Sequence, residues 1–139
     1  MRLGAILSVG AAVAAMTVAV AQASLPKALS QAAPGIWEIT GVPSAKAPVR
    51  QCVGDLLALA QFEHRGHNCT PKIIRDGPTA TTIEYSCSGG GFGRSEVGLI
   101  TPRSLRIETQ GISDGLPFHY VIQARRVGDC PGHQSASVH

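Results

Sequence analysis

Residues 94–109 read RSEVGLITPRSLRIET and alternate regularly in polarity. On either side of its central Thr-Pro, every second position carries an apolar or small residue, and these positions are Ser95, Val97, Leu99, Leu105, Ile107 and Thr109. Alternation with a period of two is typical of a strand that buries one face. Because antiparallel partners have a constant sum of residue numbers, a turn near Pro102 places Val97 opposite Ile107. The stretch therefore predicts a β-hairpin with one apolar face.

The alternation continues on both sides of this hairpin. Strands are predicted at residues 35–40, 71–75, 79–87, 94–100, 103–109 and 118–124, with turn-forming segments rich in glycine and proline between most of them, and a short extended piece is predicted at residues 49–53. A turn at Gly91 pairs Tyr85 with Val97, and a turn across residues 111–115 pairs Ile107 with Tyr120. Each register keeps the apolar side chains on one face, which predicts an antiparallel meander.

One helix is predicted beside these strands. Residues 54–62, GDLLALAQF, are rich in helix-forming residues, and Asp55 is placed to cap the helix start. We therefore expect an all-β domain, namely a curved antiparallel meander of about six strands with one short helix, as a half-barrel or a small barrel held by disulfides. A chain of 139 residues has room for one such domain.

The N-terminal residues have the composition of an export signal. Arg2 precedes an uncharged run over residues 3–20, and Ala21-Gln22-Ala23 matches a small-x-small cleavage site. A retained membrane anchor is the alternative, because the run just reaches spanning length. Its content of alanine, glycine and valine favours cleavage, which leaves no stable span. We expect a signal peptide at 1–23, a β domain at 24–131 and a disordered tail at 132–139, in the periplasm of a Gram-negative-type envelope.

The four cysteines predict a disulfide framework. An even number of cysteines in a small exported domain favours disulfides over a thiol catalyst or a zinc site. Four cysteines allow three pairings. A turn centred on Pro78 places Cys69 opposite Cys87, and the β-carbons of directly opposed residues are about 4.5–5.5 Å apart. This favours Cys69–Cys87 and leaves Cys52 to pair with Cys130.

The residues around the cysteines resemble a known family. PGIWEIT (34–40) and RQCV (50–53) resemble the P-G-x-W-E and Q-C-V/L signatures of domain-of-unknown-function family 3617, and the NC, YSCS and RRVGDCP segments at 68–69, 85–88 and 125–131 resemble its other cysteine positions. The resemblance spans residues 33–131. It implies a small exported bacterial protein with no assigned activity. Many members carry methionine-rich stretches after the tryptophan strand, and because residues 24–139 contain no methionine, no methionine-based metal role is implied here.

Several kinds of chemistry are disfavoured by the sequence. A scattered net charge of +3 is too slight for a nucleic-acid binder. His64, His67 and Cys69 have metal-ligand character, but with Cys69 oxidised only two imidazoles remain, so no metal site is predicted. No G-x-S-x-G motif occurs, and His119 has no evident catalytic partner. We therefore predict no enzymatic activity and no cofactor.

Two classes of function remain. In the first, the apolar face of the sheet is only partly filled and binds a small apolar ligand, with the ligand-binding residues Trp37, Tyr85, Phe118 and Tyr120. In the alternative, that face is a fully packed core and the surface contacts another envelope protein. Phe92, at the tip of the glycine-rich segment 88–93, is then the candidate contact residue. That segment lacks the Lys-Ser/Thr ending of a phosphate-binding loop and is read as a hairpin connection.

Overall fold

The structure is a computed structural model that describes residues 14–16 and 24–132. Its elements in chain order are α1 (Lys27–Ser30), β1 (Gly35–Thr40), β2 (Val49–Val53), α2 (Leu57–Ala60), a 3-10 helix (Phe62–His64), β3 (Cys69–Asp76), β4 (Ala80–Cys87), β5 (Phe92–Thr101), β6 (Ser104–Ser113) and β7 (Leu116–Gly128). Apart from residues 14–16, the expected signal peptide lies outside the described residues, and so does the expected tail from residue 133 onward. Within the described residues, no helix is long and apolar enough to cross a membrane.

The seven strands form one antiparallel sheet in the order β2-β1-β7-β6-β5-β4-β3. Each strand from β3 to β7 pairs with the next strand in the chain, which confirms the predicted meander. The hairpin of β1 and β2 joins the other side of β7, through pairing of β1 with β7. Strands β2 and β3 lie at opposite edges, so the sheet is open and the closed small barrel is not formed.

Two of the predicted registers are confirmed. Val97 lies opposite Ile107 in the β5–β6 hairpin that residues 94–109 predict. Cys69 lies opposite Cys87 in the β3–β4 hairpin, where Ile73 also faces Ile83 before a bulge shifts the pairing. Both hairpins turn where a proline marks the connection, and a fixed turn position fixes the register.

The predicted β4–β5 register is wrong. Tyr85 lies opposite Gly93 instead of Val97. The turn is made by Gly89 and Gly90, whose φ angles of 96° and 98° lie in the left-handed region that favours glycine, and not by Gly91. The shift is an even number of residues, so it leaves the same side chains on the apolar face.

The predicted β6–β7 register is also wrong, by two residues. Ile107 lies opposite Ile122, and Tyr120 lies opposite Thr109. Asp114 and Gly115 form the turn with φ angles of 51° and 77°. Asp-Gly is a preferred pair for a two-residue hairpin turn, and this tighter turn lengthens both strands beyond their predicted ends.

The helical segments differ from the single predicted helix. Within the predicted helix of residues 54–62, only Leu57–Ala60 form an α-helix, α2. The 3-10 helix begins at Phe62 and continues to His64. The side chain of Asp55 accepts a hydrogen bond from the Leu57 N–H at 3.0 Å, so its expected capping contact is present. Helix α1 was not predicted, because four residues after Pro26 are too few to show a helical period.

The helical segments cover one face of the sheet, which we call the inner face; the opposite side is the outer face. Helix α1 contributes Leu29, and the segment around α2 contributes Leu56, Leu59 and Phe62 to the core. From the sheet, the core receives Trp37, Ile39, Val53, Ile83, Val97, Leu105, Ile107, Ile122 and Ala124, none more than 1% exposed. Burial of these side chains is the main source of stability.

Two disulfides cross-link the two edge strands of the sheet to other parts of the chain. Cys52 on β2 is bonded to Cys130, and Cys69 on β3 is bonded to Cys87 on β4. These are the two pairings that the sequence favoured. They enclose loops of 78 and 18 residues, so the first ties the edge strand β2 to the end of the chain. Structural disulfides of this kind are typical of proteins exported to an oxidising environment.

Candidate functional site

Trp37, one of the predicted ligand-binding residues, is a core residue. Its side chain is completely buried on the inner face. Its indole Nε1–H donates to the Ala33 carbonyl oxygen at 3.2 Å, so its one polar group is satisfied by the chain itself. Trp37 therefore presents no surface to a ligand in this structure.

The other three predicted residues lie together around His64. Tyr85 is buried and its ring centroid is 5.3 Å from that of His64, while the Phe118 ring is 5.7 Å from His64 and 5.9 Å from Tyr120. The hydroxyl of Tyr120 donates to the Glu63 carboxylate at 2.8 Å. The sequence thus named three members of a real aromatic cluster, but it did not place His64 at its centre.

His64 connects the 3-10 helix to the sheet. Only 3% of its surface is exposed. Its Nδ1 lies 3.1 Å from the Tyr85 hydroxyl, and its Nε2 lies 3.0 Å from the carbonyl oxygen of Ile112. A carbonyl only accepts, so in the neutral imidazole Nε2 carries the hydrogen and Nδ1 accepts from Tyr85. Both ring nitrogens are therefore occupied by bonds within the protein.

Burial raises the pKa of both tyrosines in this cluster. It raises the pKa of Tyr85 to about 12, an effect partly offset by a hydrogen bond with Thr109 and reinforced by the charge of Glu63. Burial, followed by the hydrogen bond to Glu63, raises the pKa of Tyr120 further. Both phenols stay protonated near neutral pH, and no buried side-chain nitrogen or oxygen in the described residues lacks a hydrogen-bond partner. The cluster is a satisfied structural network.

Two of the three residues considered for metal binding, His64 and Cys69, already make other bonds within the protein. Cys69 is in a disulfide, and both nitrogens of His64 are hydrogen-bonded. His67 is exposed beside them, with its ring centroid 6.0 Å from that of His64. In the part of the chain that the structure describes, no group of three or more histidine, cysteine, aspartate or glutamate side chains is arranged to hold a metal ion.

A groove of about 720 Å³ lies on the outer face, at the end of the sheet that holds the β4–β5 and β6–β7 turns. It is lined by Thr70, Lys72, Glu84, Tyr85, Ser86, Phe92, Gly93, Arg94, Gln110, Gly111, Ile112, Pro117 and Phe118, and we call it the outer groove. Of the four predicted ligand-binding residues, Tyr85 and Phe118 are among the lining residues, although strand alternation assigns both to the inner face; Trp37 and Tyr120 do not line the groove.

The strand registers arrange the side chains of the outer groove in two rows. The first row crosses five strands through successive directly paired residues and is Thr70, Ser86, Phe92, Ile112 and Pro117. The second row lies two residues further along and is Lys72, Glu84, Arg94 and Gln110; His119 continues it on β7 but does not line the groove. Residues two apart on a strand share a face at about 7 Å. Phe92, Ile112 and Pro117 of the first row, which we call the apolar row, therefore run beside the second row, which we call the charged row.

Exposed apolar side chains mark the first row. The alternation on β5 places Phe92 on the polar, outer side of the strand, where this apolar side chain is 51% exposed. Ile112 is half-buried opposite it, and Pro117 follows on the next strand. The predicted pairing of β5 with β6 could have found this contact, because the same register places Phe92 opposite Ile112. The contact is not among the predicted pairs, because the predicted strand begins at residue 94 and leaves Phe92 in the glycine-rich connection 88–93, whereas β5 begins at Phe92.

Comparison with known proteins supports the family but assigns no activity. The family described as "Protein of unknown function (DUF3617)" matches residues 32–130. No curated protein and no solved structure matches this chain. The matched residues include both disulfides, the Trp37 strand and every residue of the outer groove, so the family covers the whole sheet. The chain therefore belongs to this family of proteins of unknown function.

Proposed function

We propose that the protein is an exported, non-enzymatic module that binds a small apolar ligand in the outer groove. The observation that carries this proposal is the apolar row of Phe92, Ile112 and Pro117 inside a groove of about 720 Å³. Small-molecule sites commonly have volumes of about 300–1,000 Å³ and combine an apolar lining with a few polar groups. The groove fits both criteria.

The proposal moves the ligand from the inner to the outer face. The inner face is filled by the core and by the network around His64, which supports a structural role for it. The absence of an enzymatic role remains part of the proposal. It is supported by the internal hydrogen bonding of His64 and by the protonated state of Tyr85, which leave neither group available as a general base.

We also propose that the compartment is the periplasm. Two disulfides that enclose most of the domain favour an oxidising compartment, where such bonds persist. The proposed cleavage after Ala23 would release the domain from its signal.

Native mass spectrometry of protein exported by a bacterium and purified without refolding tests the binding proposal. We expect an adduct that is lost on denaturation and that is absent from Phe92→Ser. The matched control is Ile100→Ser, which removes an apolar side chain of similar exposure, 58%, that does not line the groove. An adduct retained in Phe92→Ser and lost in Ile100→Ser would contradict the proposal.

A second candidate is an envelope protein that docks on the same face. The packed inner core favours this candidate, because a filled inner face leaves the surface of the domain as the place where a partner can bind. Co-purification of a specific protein that depends on Phe92, together with a clean native mass, would support this candidate over a small ligand.

A further inference from the structure

We propose that the ligand of the outer groove is an anionic amphiphile, a single molecule with an apolar chain and a negatively charged head group. This inference rests on the proposed function and adds the charge and shape of the ligand. It follows from the charged row, which the binding of an apolar ligand alone does not use.

The two rows suit a molecule with two ends. The groove spans five strands, which corresponds to about 19 Å between the outer two at the usual strand spacing. An apolar chain along the first row contacts Phe92, Ile112 and Pro117. A head group displaced by one row reaches Lys72 and Arg94, because the rows are about 7 Å apart.

The charges that line the groove favour an anion. Lys72 and Arg94 face one carboxylate, Glu84, and that carboxylate is paired with Arg94 at 3.3 Å. Although Lys72 lies directly opposite Glu84 in the ladder, it takes part in none of the ion pairs among the described residues. The groove therefore presents an unpaired ammonium at the β3 end of its charged row, and an anionic head group complements it.

The surroundings of the groove favour a free molecule over an anionic membrane. Glu96 and Glu108 lie opposite each other on the same outer face, next to the charged row; Glu108 is paired with Arg106 and His119, whereas Glu96 takes part in none of the ion pairs among the described residues. A flat anionic surface that reached Lys72 would also approach these carboxylates, whereas a single chain held in the groove does not. We therefore assign the site to a monomeric amphiphile.

Titration calorimetry with three probes of equal chain length tests the charge of the head group, with the two ionic probes below their critical micelle concentrations and the alcohol below its solubility limit. The probes are dodecanoate, dodecanol and dodecylammonium, and the protein is the oxidised, exported chain. We expect dodecanoate to bind most tightly, and Lys72→Gln to weaken it about fivefold while leaving dodecanol unchanged. Lys46→Gln, a matched change in the loop between β1 and β2, should alter none of the three affinities.

The outcomes separate this inference from the proposed function. Equal binding of dodecanol and dodecanoate, with no effect of Lys72→Gln, would overturn the anionic head group and leave apolar binding in the groove. Failure of all three probes to bind would overturn both. Tighter binding to vesicles of anionic phospholipid than to dodecanoate would overturn the monomeric ligand in favour of a membrane surface.

Discussion

Phe92 and Ile112 lie directly opposite each other on β5 and β6, with both side chains on the face of the sheet that the helices leave uncovered. Apolar pairs in a sheet normally face the core, because that burial stabilises the fold. Here the pair lines the outer groove, and Phe92 remains 51% exposed. A large aromatic side chain exposed beside the charged row supports the binding role that we propose for the outer groove.

Replacing Gly93 with alanine should destabilise the protein. A β-carbon at Gly93 would overlap the hydroxyl and ring of Tyr85, so this buried side chain would have to move. We expect a loss of about 1–3 kcal/mol in the free energy of unfolding by urea denaturation. Gly98→Ala on the same strand is the control, since its β-carbon would meet only the Arg106 carbonyl oxygen at 3.8 Å, and a change within about 0.5 kcal/mol is expected. Equal effects of the two substitutions would contradict the close approach of Tyr85 to Gly93.

Replacing His64 with alanine should be costly, because it leaves the Tyr85 hydroxyl and the Ile112 carbonyl without their partner and opens a cavity. The expected loss in the free energy of unfolding is about 2–4 kcal/mol. His67→Ala removes a neighbouring exposed imidazole and should change the stability by less than about 0.5 kcal/mol. If the two variants are equally stable, His64 is not the connection between the helical segment and the sheet.

The two disulfides should contribute unequally to stability. In the chain-entropy model the longer loop closed by Cys52–Cys130 contributes about 4–5 kcal/mol and the shorter loop closed by Cys69–Cys87 about 3 kcal/mol. Thermal unfolding of the two double-serine variants checks this order. A larger loss without Cys69–Cys87 would mean that strand geometry, and not loop length, governs the effect.

The pH at which the tyrosines ionise should show that they are buried in the folded protein. Tyr85 and Tyr120 are the chain's two tyrosines, and the pKa of Tyr85 is raised from 10.0 to about 12. The unfolded chain loses the phenol proton near pH 10 while the folded chain keeps it, so the stability that Tyr85 contributes is complete below pH 10 and is lost as the pH rises toward 12. Ultraviolet absorbance of the folded protein should show no phenolate step at pH 10. A step at pH 10 without unfolding would show that the tyrosines are exposed.

The sequence predicted the sheet well because its alternation is local. The 94–109 hairpin, the Cys69–Cys87 pairing and the inward residues all follow from counting along the chain. The pairing of β1 with β7 joins residues more than eighty positions apart, and no local pattern contains it. The two misplaced turns show the same limit, because several glycines stood near each turn and the backbone selected Gly89-Gly90 and Asp114-Gly115.

The candidate site was less predictable than the fold. Trp37, Tyr85, Phe118 and Tyr120 were grouped because they share one face, but the groove depends on which face the helical segments cover. Helix α1 is four residues long and gives no periodic signal, so the closure of the inner face by Leu29 could not be foreseen. Lys72 and Arg94 are ordinary surface residues in the sequence and gain meaning only from the register that aligns them.

Amide chemical-shift mapping with dodecanol and then dodecanoate tests whether ligands bind in the outer groove, because it locates the binding face without a variant. Binding in the outer groove predicts shifts for the amides of residues 84–86, 92–94, 110–116 and 118, with the indole N–H of Trp37 and the amides of α2 unmoved. Shifts confined to Trp37 and α2 would place the ligand on the inner face and contradict the outer groove.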